Sequence, residues 1–174
     1  MFIKSIKNYE IEGLRLITLD NFYDQRGEIW TIYSPLSMFP NFVEDKISIS
    51  RKGVLRGLHG DPHTTKLVSC LDGEFTLFVV DARNGSNTYG RRQKFNLSSN
   101  QGQLVLVPAG CLNGHLCKSE KCIFWYKWSK KYNGPEAQTT IKWNDEELNL
   151  DWGIKSPILS ERDNNGRNFK GVKL

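Results

Sequence analysis

Short segments of alternating apolar and polar residues, cut apart by Gly, Asn, Asp or Pro, recur along the whole chain, and no other feature restricts its fold so strongly. A period of two sends successive side chains to opposite faces, so Leu14 to Leu19, Glu28 to Tyr33, Lys46 to Arg51, Lys66 to Leu71 and Glu74 to Asp81 read as strands. Arg92 to Leu97, Gln103 to Val107, Cys122 to Trp128 and Thr139 to Trp143 continue the series. Strands at such spacing predict an all-β antiparallel sandwich or barrel. Asp72-Gly73, between two apolar runs, predicts a type I′ hairpin that pairs its flanking strands. Helix is scarce: Ser34 to Phe39 and Asp145 to Leu148 are each long enough for a turn or two, the second with Asn144 as N-cap. With no repeat and no linker, the 174 residues predict one domain over 1–163 and a loose, Asn- and Gly-rich tail over 164–174. Open sheet edges need cover, and a second copy is the simplest cover, so a homodimer is expected.

Composition serves mainly to exclude. No apolar run approaches the roughly 18 residues a membrane-spanning helix needs. The opening Met1-Phe2-Ile3-Lys4-Ser5-Ile6-Lys7 lacks the apolar stretch of a signal peptide, which places the protein in the cytoplasm. A net charge of +5 and a pI near 9.0 admit an anionic partner such as a phosphorylated substrate. Nucleic acid is disfavoured, because the cations are scattered among acids with no basic helix or recognised motif. Cys70, Cys111, Cys117 and Cys122 show no paired spacing and read as buried reduced thiols.

The chemistry-bearing residues sit in two stretches. One is Gly53-Val54-Leu55-Arg56-Gly57-Leu58-His59; the other, G-x5-P-x-G-x2-N, runs from Gly102 through Pro108 and Gly110 to Asn113. Together they are similar to the paired signatures of a small cupin-like (jelly-roll) barrel, except that a metal-binding version would carry His at Asn113 and a His-x-His pair where this chain has His59-Gly60-Asp61. No metal is therefore expected, and the remaining His59 suggests proton transfer. A lone histidine is often a satisfied core residue, but Arg56 three positions earlier and Lys66 on the next apolar strand suggest that cations and a base converge on one cavity. Tyr126 shares one face of its strand with Phe124 and Trp128, either as aromatic core or as the wall of a polar lumen. His115, two residues past Asn113, shares its face and is a candidate to line the same pocket. Asp163 is either a surface acid or, folded back on His59, the carboxylate that fixes its tautomer.

Taken in order, Asp24-Gln25-Arg26-Gly27, Val54-Leu55-Arg56-Gly57-Leu58-His59, Lys66-Leu67-Val68, Val80-Asp81-Ala82-Arg83, Pro108-Ala109-Gly110, Tyr126-Lys127, Trp143-Asn144-Asp145 and Leu159-Ser160-Glu161-Arg162-Asp163 resemble the nucleotide-sugar 3,5-epimerase family typified by dTDP-4-dehydrorhamnose 3,5-epimerase, over about Leu14 to Asp163. The resemblance implies a metal- and cofactor-free dimeric barrel that inverts stereocentres next to a 4-keto group. Carried over by position, His59 is the base, Asp163 its orienting partner, Tyr126 the acid on the opposite face and Lys66 the donor to the keto oxygen. Arg26 and Arg56 match residues that hold the pyrophosphate, and Tyr132 an aromatic near the nucleotide. Where the family has an aromatic and Gln after the active-site His, this chain has Gly60-Asp61; where it has Ala-His-Gly-Phe, this chain has Leu112-Asn113-Gly114-His115. These variants most resemble a branch acting on GDP-linked 4-keto-6-deoxy-heptoses for capsular polysaccharide. The alternatives are the dTDP-4-dehydrorhamnose 3,5-epimerase proper, a 3,4-ketoisomerase, a metal-dependent oxygenase, or a non-catalytic sugar-nucleotide binding protein.

Overall fold

The computed structural model describes residues 2–174. Its strands are β1 Ile3–Asn8, β2 Arg15–Leu19, β3 Phe22–Asp24, β4 Gly27–Ile29, β5 Glu44–Arg51, β6 Leu55–Gly60 and β7 Lys66–Asp72. They continue as β8 Glu74–Asp81, β9 Arg92–Ser98, β10 Gln103–Val107, β11 Cys111–Cys117, β12 Lys121–Trp128 and β13 Thr139–Thr140, and one short helix, α1 Glu161–Asn164, follows. They form a six-stranded sheet, β1-β2-β10-β7-β12-β5, a five-stranded sheet, β13-β6-β11-β8-β9, and the separate hairpin β3-β4. Every ladder pairing is antiparallel.

The sheets face each other across a core of Val68 and Cys70 from β7, Phe75, Leu77 and Val79 from β8, Val105 and Val107 from β10, and Cys122 and Phe124 from β12. No ladder joins them among the described residues, so the expected jelly-roll barrel takes the form of two open, facing sheets. The two outer faces are covered as well. Trp30, Ile32, Tyr33, Leu36, Phe39 and Phe42 pack on the six-stranded sheet over Ile17, Leu67, Leu104 and Trp125. Leu148, Leu150, Trp152, Phe169 and Val172 pack on the five-stranded sheet over Leu55, Phe78, Val80, Leu112 and Leu116. Strands covered on both faces lose polar alternation, which is why β11 is buried at every position.

Several expectations fail for identifiable reasons. Asp72-Gly73 does not close a hairpin: β7 lies in one sheet and β8 in the other, and Gly73 (φ +70°) is the corner where the chain crosses between them. A Cβ there would stand 2.1 Å from the Lys121 carbonyl oxygen, so the turn-type glycine serves a close approach instead. Of the segment Glu28 to Tyr33 only Glu28 and Ile29 form strand, as the end of β4, because Trp30 onward is held by side-chain packing and finds no ladder partner. Ser34 to Phe39 is irregular and ends in a turn, and Asp145 to Leu148 is a non-helical turn capped by Asp145, whose carboxylate accepts from the Leu148 amide at 3.0 Å. The tail expected to be loose is packed: Phe169 is fully buried, and the Leu174 amide donates to the Ala82 carbonyl at 2.7 Å. The four cysteines are buried and unpaired. No helix among the described residues is long and apolar enough to cross a membrane.

Candidate active site

At one end of the gap between the sheets lies a cavity of about 330 Å³ bordered by side chains from both. His59 and Arg56 reach it from β6, and Asn113 and His115 from β11. On a regular strand, residues three apart point to opposite faces. Here the register slips between Asn113, opposite His59, and His115, opposite Arg56, so β6 carries one extra residue in a bulge and both of its polar side chains face inward. Gly57 (φ +121°) makes the bulge possible, since a Cβ would lie 2.5 Å from the Gly114 Cα.

His59 Nε2 lies 2.5 Å from Asp163 Oδ1, which leaves Nδ1 as the nitrogen free to take a proton. Asp163 is on α1, where the Ser160 hydroxyl caps the helix by accepting from the Asp163 amide at 3.1 Å while donating to Oδ2 at 2.9 Å. Burial would raise the Asp163 carboxyl, but the bonds from His59, Ser160 and the Gly57 amide outweigh it and hold the group below its ordinary value. For His59 burial dominates and lowers the pKa; Asp163 offsets part of that, while Arg162 and Lys66 act with burial. The imidazole is thus a neutral, oriented base at neutral pH.

The facing wall is β12, whose alternate residues Phe124, Tyr126 and Trp128 point into the cavity. Burial raises the Tyr126 phenol above its usual value, keeping it protonated. Lys66, first residue of β7, closes the inner end: its Nζ donates to Asn113 Oδ1 at 2.7 Å and to the His59 carbonyl at 3.3 Å, and lies 5.1 Å from the Trp128 ring centre. Burial brings its pKa down to about 8. Arg56 Nε bonds Ser50 Oγ at 3.0 Å, and Tyr132 meets Trp128 edge to face at 5.2 Å under the Lys46 ammonium.

His59, Lys66, Tyr126, Asp163, Arg56, Asn113, His115 and Tyr132 are therefore brought together as the sequence suggested. Arg26 is not: it sits on the turn of the exposed β3-β4 hairpin, paired with Asp24 at 2.7 Å, with its side chain 82% exposed. Lys46, Ser48, Gln138, Ser160 and Arg162 were missed as lining residues. Ser160 and Arg162 flank Asp163 and were within reach of the motif, whereas nothing local distinguishes Gln138. Five buried side-chain polar atoms lack a partner among the described residues: Ser48 Oγ, His115 Nε2, Trp128 Nε1, Gln138 Nε2 and Arg162 Nη2, and all five residues border this cavity. Each unmet group costs about 1–3 kcal/mol, so their confinement to one cavity marks it as built for a polar ligand. No group of three or more His, Cys, Asp or Glu among the described residues is placed to hold a metal.

A neutral base and a protonated phenol facing each other beside a buried cation define a site for moving protons on and off carbon, the work of an acid–base isomerase. The chain belongs to the dTDP-4-dehydrorhamnose 3,5-epimerase family, whose model matches residues 8–171. The dTDP-4-dehydrorhamnose 3,5-epimerase of Methanothermobacter thermautotrophicus is 33% identical over 182 residues, covering 99% of this chain and 94% of its own. The crystal structure of the Elizabethkingia anophelis enzyme of that name superposes with a TM-score of 0.87 at 34% identity, covering 98% of each chain. A Legionella pneumophila dTDP-6-deoxy-D-glucose-3,5-epimerase in complex with dTDP-4-keto-L-rhamnose gives 0.90 at 31% identity, covering 97% of this chain and 94% of that one. These relatives are named for dTDP sugars, which corrects the expectation of a GDP-linked heptose and favours its dTDP alternative.

Proposed function

We propose that the chain inverts C3, C5 or both in a dTDP-linked 4-keto-6-deoxy sugar. One observation carries the reading: the His59 base and the Tyr126 phenol reach the same cavity from opposite sheets, and Lys66 lines that cavity with them. A ketone at C4 acidifies the hydrogens on C3 and C5. His59 removes one, the Lys66 ammonium stabilises the enolate oxygen, and Tyr126 returns a proton to the opposite face, which inverts the carbon. Arg56 holds the diphosphate, Asn113 and His115 contact the sugar, and Tyr132 lies beside the nucleotide. No cofactor enters these steps.

The protein acts in the cytoplasm as a homodimer in this reading. The β3-β4 hairpin exposes Phe22, Tyr23 and Ile29, and β5, the edge of the six-stranded sheet, exposes Ile47 and Ile49. Arg26 joins the diphosphate site only if this hairpin is contributed by a second copy, and light scattering of the purified protein checks the dimer. For the activity itself, NMR of dTDP- and GDP-linked 4-keto-6-deoxy sugars incubated in D2O is decisive. Label at C3, C5 or both is expected with the dTDP sugar, falling about 10²- to 10⁴-fold in His59→Ala. Absence of label with every such sugar ends the proposal, and a keto group moved to C3 identifies a ketoisomerase.

A further inference from the structure

His115 has no task in the proton transfers above, yet it is the deeper of the two cavity histidines. The residue is 4% exposed, whereas the His59 side chain is 21% exposed. Its ring is stacked on Phe124, with centroids 4.0 Å apart and planes 9° off parallel, and the Phe75 ring lies 5.4 Å away. This packing fixes the imidazole in one orientation at the cavity wall. Nε2 is enclosed without any hydrogen-bond partner. Burial, reinforced by the Arg56 charge and by His59 whenever it is protonated, and opposed by Asp163, brings its pKa down to about 3, so the ring stays uncharged. A rigid neutral imidazole that borders a ligand cavity and has no hydrogen-bond partner at Nε2 is suited to bonding a neutral hydroxyl and ill suited to a phosphate or to proton shuttling near pH 7.

We infer that His115 is a specificity-determining residue that pairs with a hydroxyl on C2 or C3 of the bound sugar, selecting a substrate that carries this hydroxyl over its deoxy counterpart. This rests on the function proposed above. A site whose buried polar group is left unpaired rejects the ligand that lacks the matching group, so the hydroxyl's contribution disappears once His115 is made apolar.

The test is a cycle of protein variant against substrate. kcat/KM for deuterium incorporation is measured for the wild type, His115→Phe and His115→Gln, using a dTDP-linked 4-keto-6-deoxyhexose and its 2-deoxy and 3-deoxy forms. Phe retains the stack on Phe124 and removes the hydrogen bond; Gln restores a donor and an acceptor. We expect His115→Phe to lose about 10- to 100-fold with the parent sugar, to stay within about twofold of wild type with one of the deoxy sugars, and to be partly rescued in His115→Gln. Equal losses on all three sugars, or no loss on any, overturn the assignment. Failure of the epimerase reading is distinct, because the wild type then labels none of the sugars. The same cycle read as Kd by calorimetry still decides the role of His115.

Discussion

At the scale of single residues, the site divides its labour between two protonation states that must coexist. His59 must be neutral and Lys66 charged, so kcat/KM should rise with pH through the His59 pKa, which burial holds below its ordinary 6.5, and fall again near the Lys66 value of about 8. A bell confined to that window is the expected profile, and a flat rate from pH 5 to 10 would separate these groups from the chemistry. Lys66→Arg, whose charge persists, should remove the alkaline limb whatever it does to the maximum. Tyr126 and His59 also make separable contributions. In Tyr126→Phe the base can still lift a proton and return a deuteron to the same face, so solvent exchange should outlast inversion. NMR would then show labelled substrate with the epimerised product reduced by about 10²-fold or more. Loss of both together would mean that Tyr126 is needed to bind the sugar. Asp163 was readable only through the motif around it, since a partner 104 positions from His59 leaves no local trace.

At the scale of the strand, legibility followed the range of the forces involved. Glu74–Asp81 and Gln103–Val107 were bounded to the residue, because alternation and turn residues are local signals. The Asp72-Gly73 turn was recognised and misassigned, because a dipeptide reports backbone conformation and says nothing about which sheet receives the next strand. Its role predicts a substantial penalty: Gly73→Ala forces a Cβ against the Lys121 carbonyl and the Ser119 hydroxyl at a positive φ. It should cost about 3 kcal/mol, seen as a lowered urea midpoint, where a free two-residue hairpin would lose about 1 kcal/mol. The β6 bulge was equally invisible, although the expectation that Arg56 and His59 share a mouth depends on it. A regular strand at this position would have separated them.

Across the whole molecule, the sequence indicated an all-β architecture but not how its surfaces are covered. The closing segment, rich in Asn, Gly and charge, reads as solvated, yet Phe169 and Val172 insert into the core beneath the five-stranded sheet, and the Phe169 amide is held by Asp145 at 2.8 Å. Three apolar residues, Phe169, Val172 and Leu174, in a polar stretch are too few to set a period, and their partners lie far back in the chain. Phe169→Ala should therefore cost about 3–5 kcal/mol, measured by urea unfolding, against near zero if the segment were loose. This docked segment adjoins α1, the element that carries Asp163 to His59. During biosynthesis the strands are complete in sequence well before Glu161–Asn164 emerges, so until then the His59 imidazole has no orienting carboxylate. Protease nicking ahead of Ser160 would cut the covalent tether that carries Asp163 to His59, so turnover would register the docking of residues 160–174 directly.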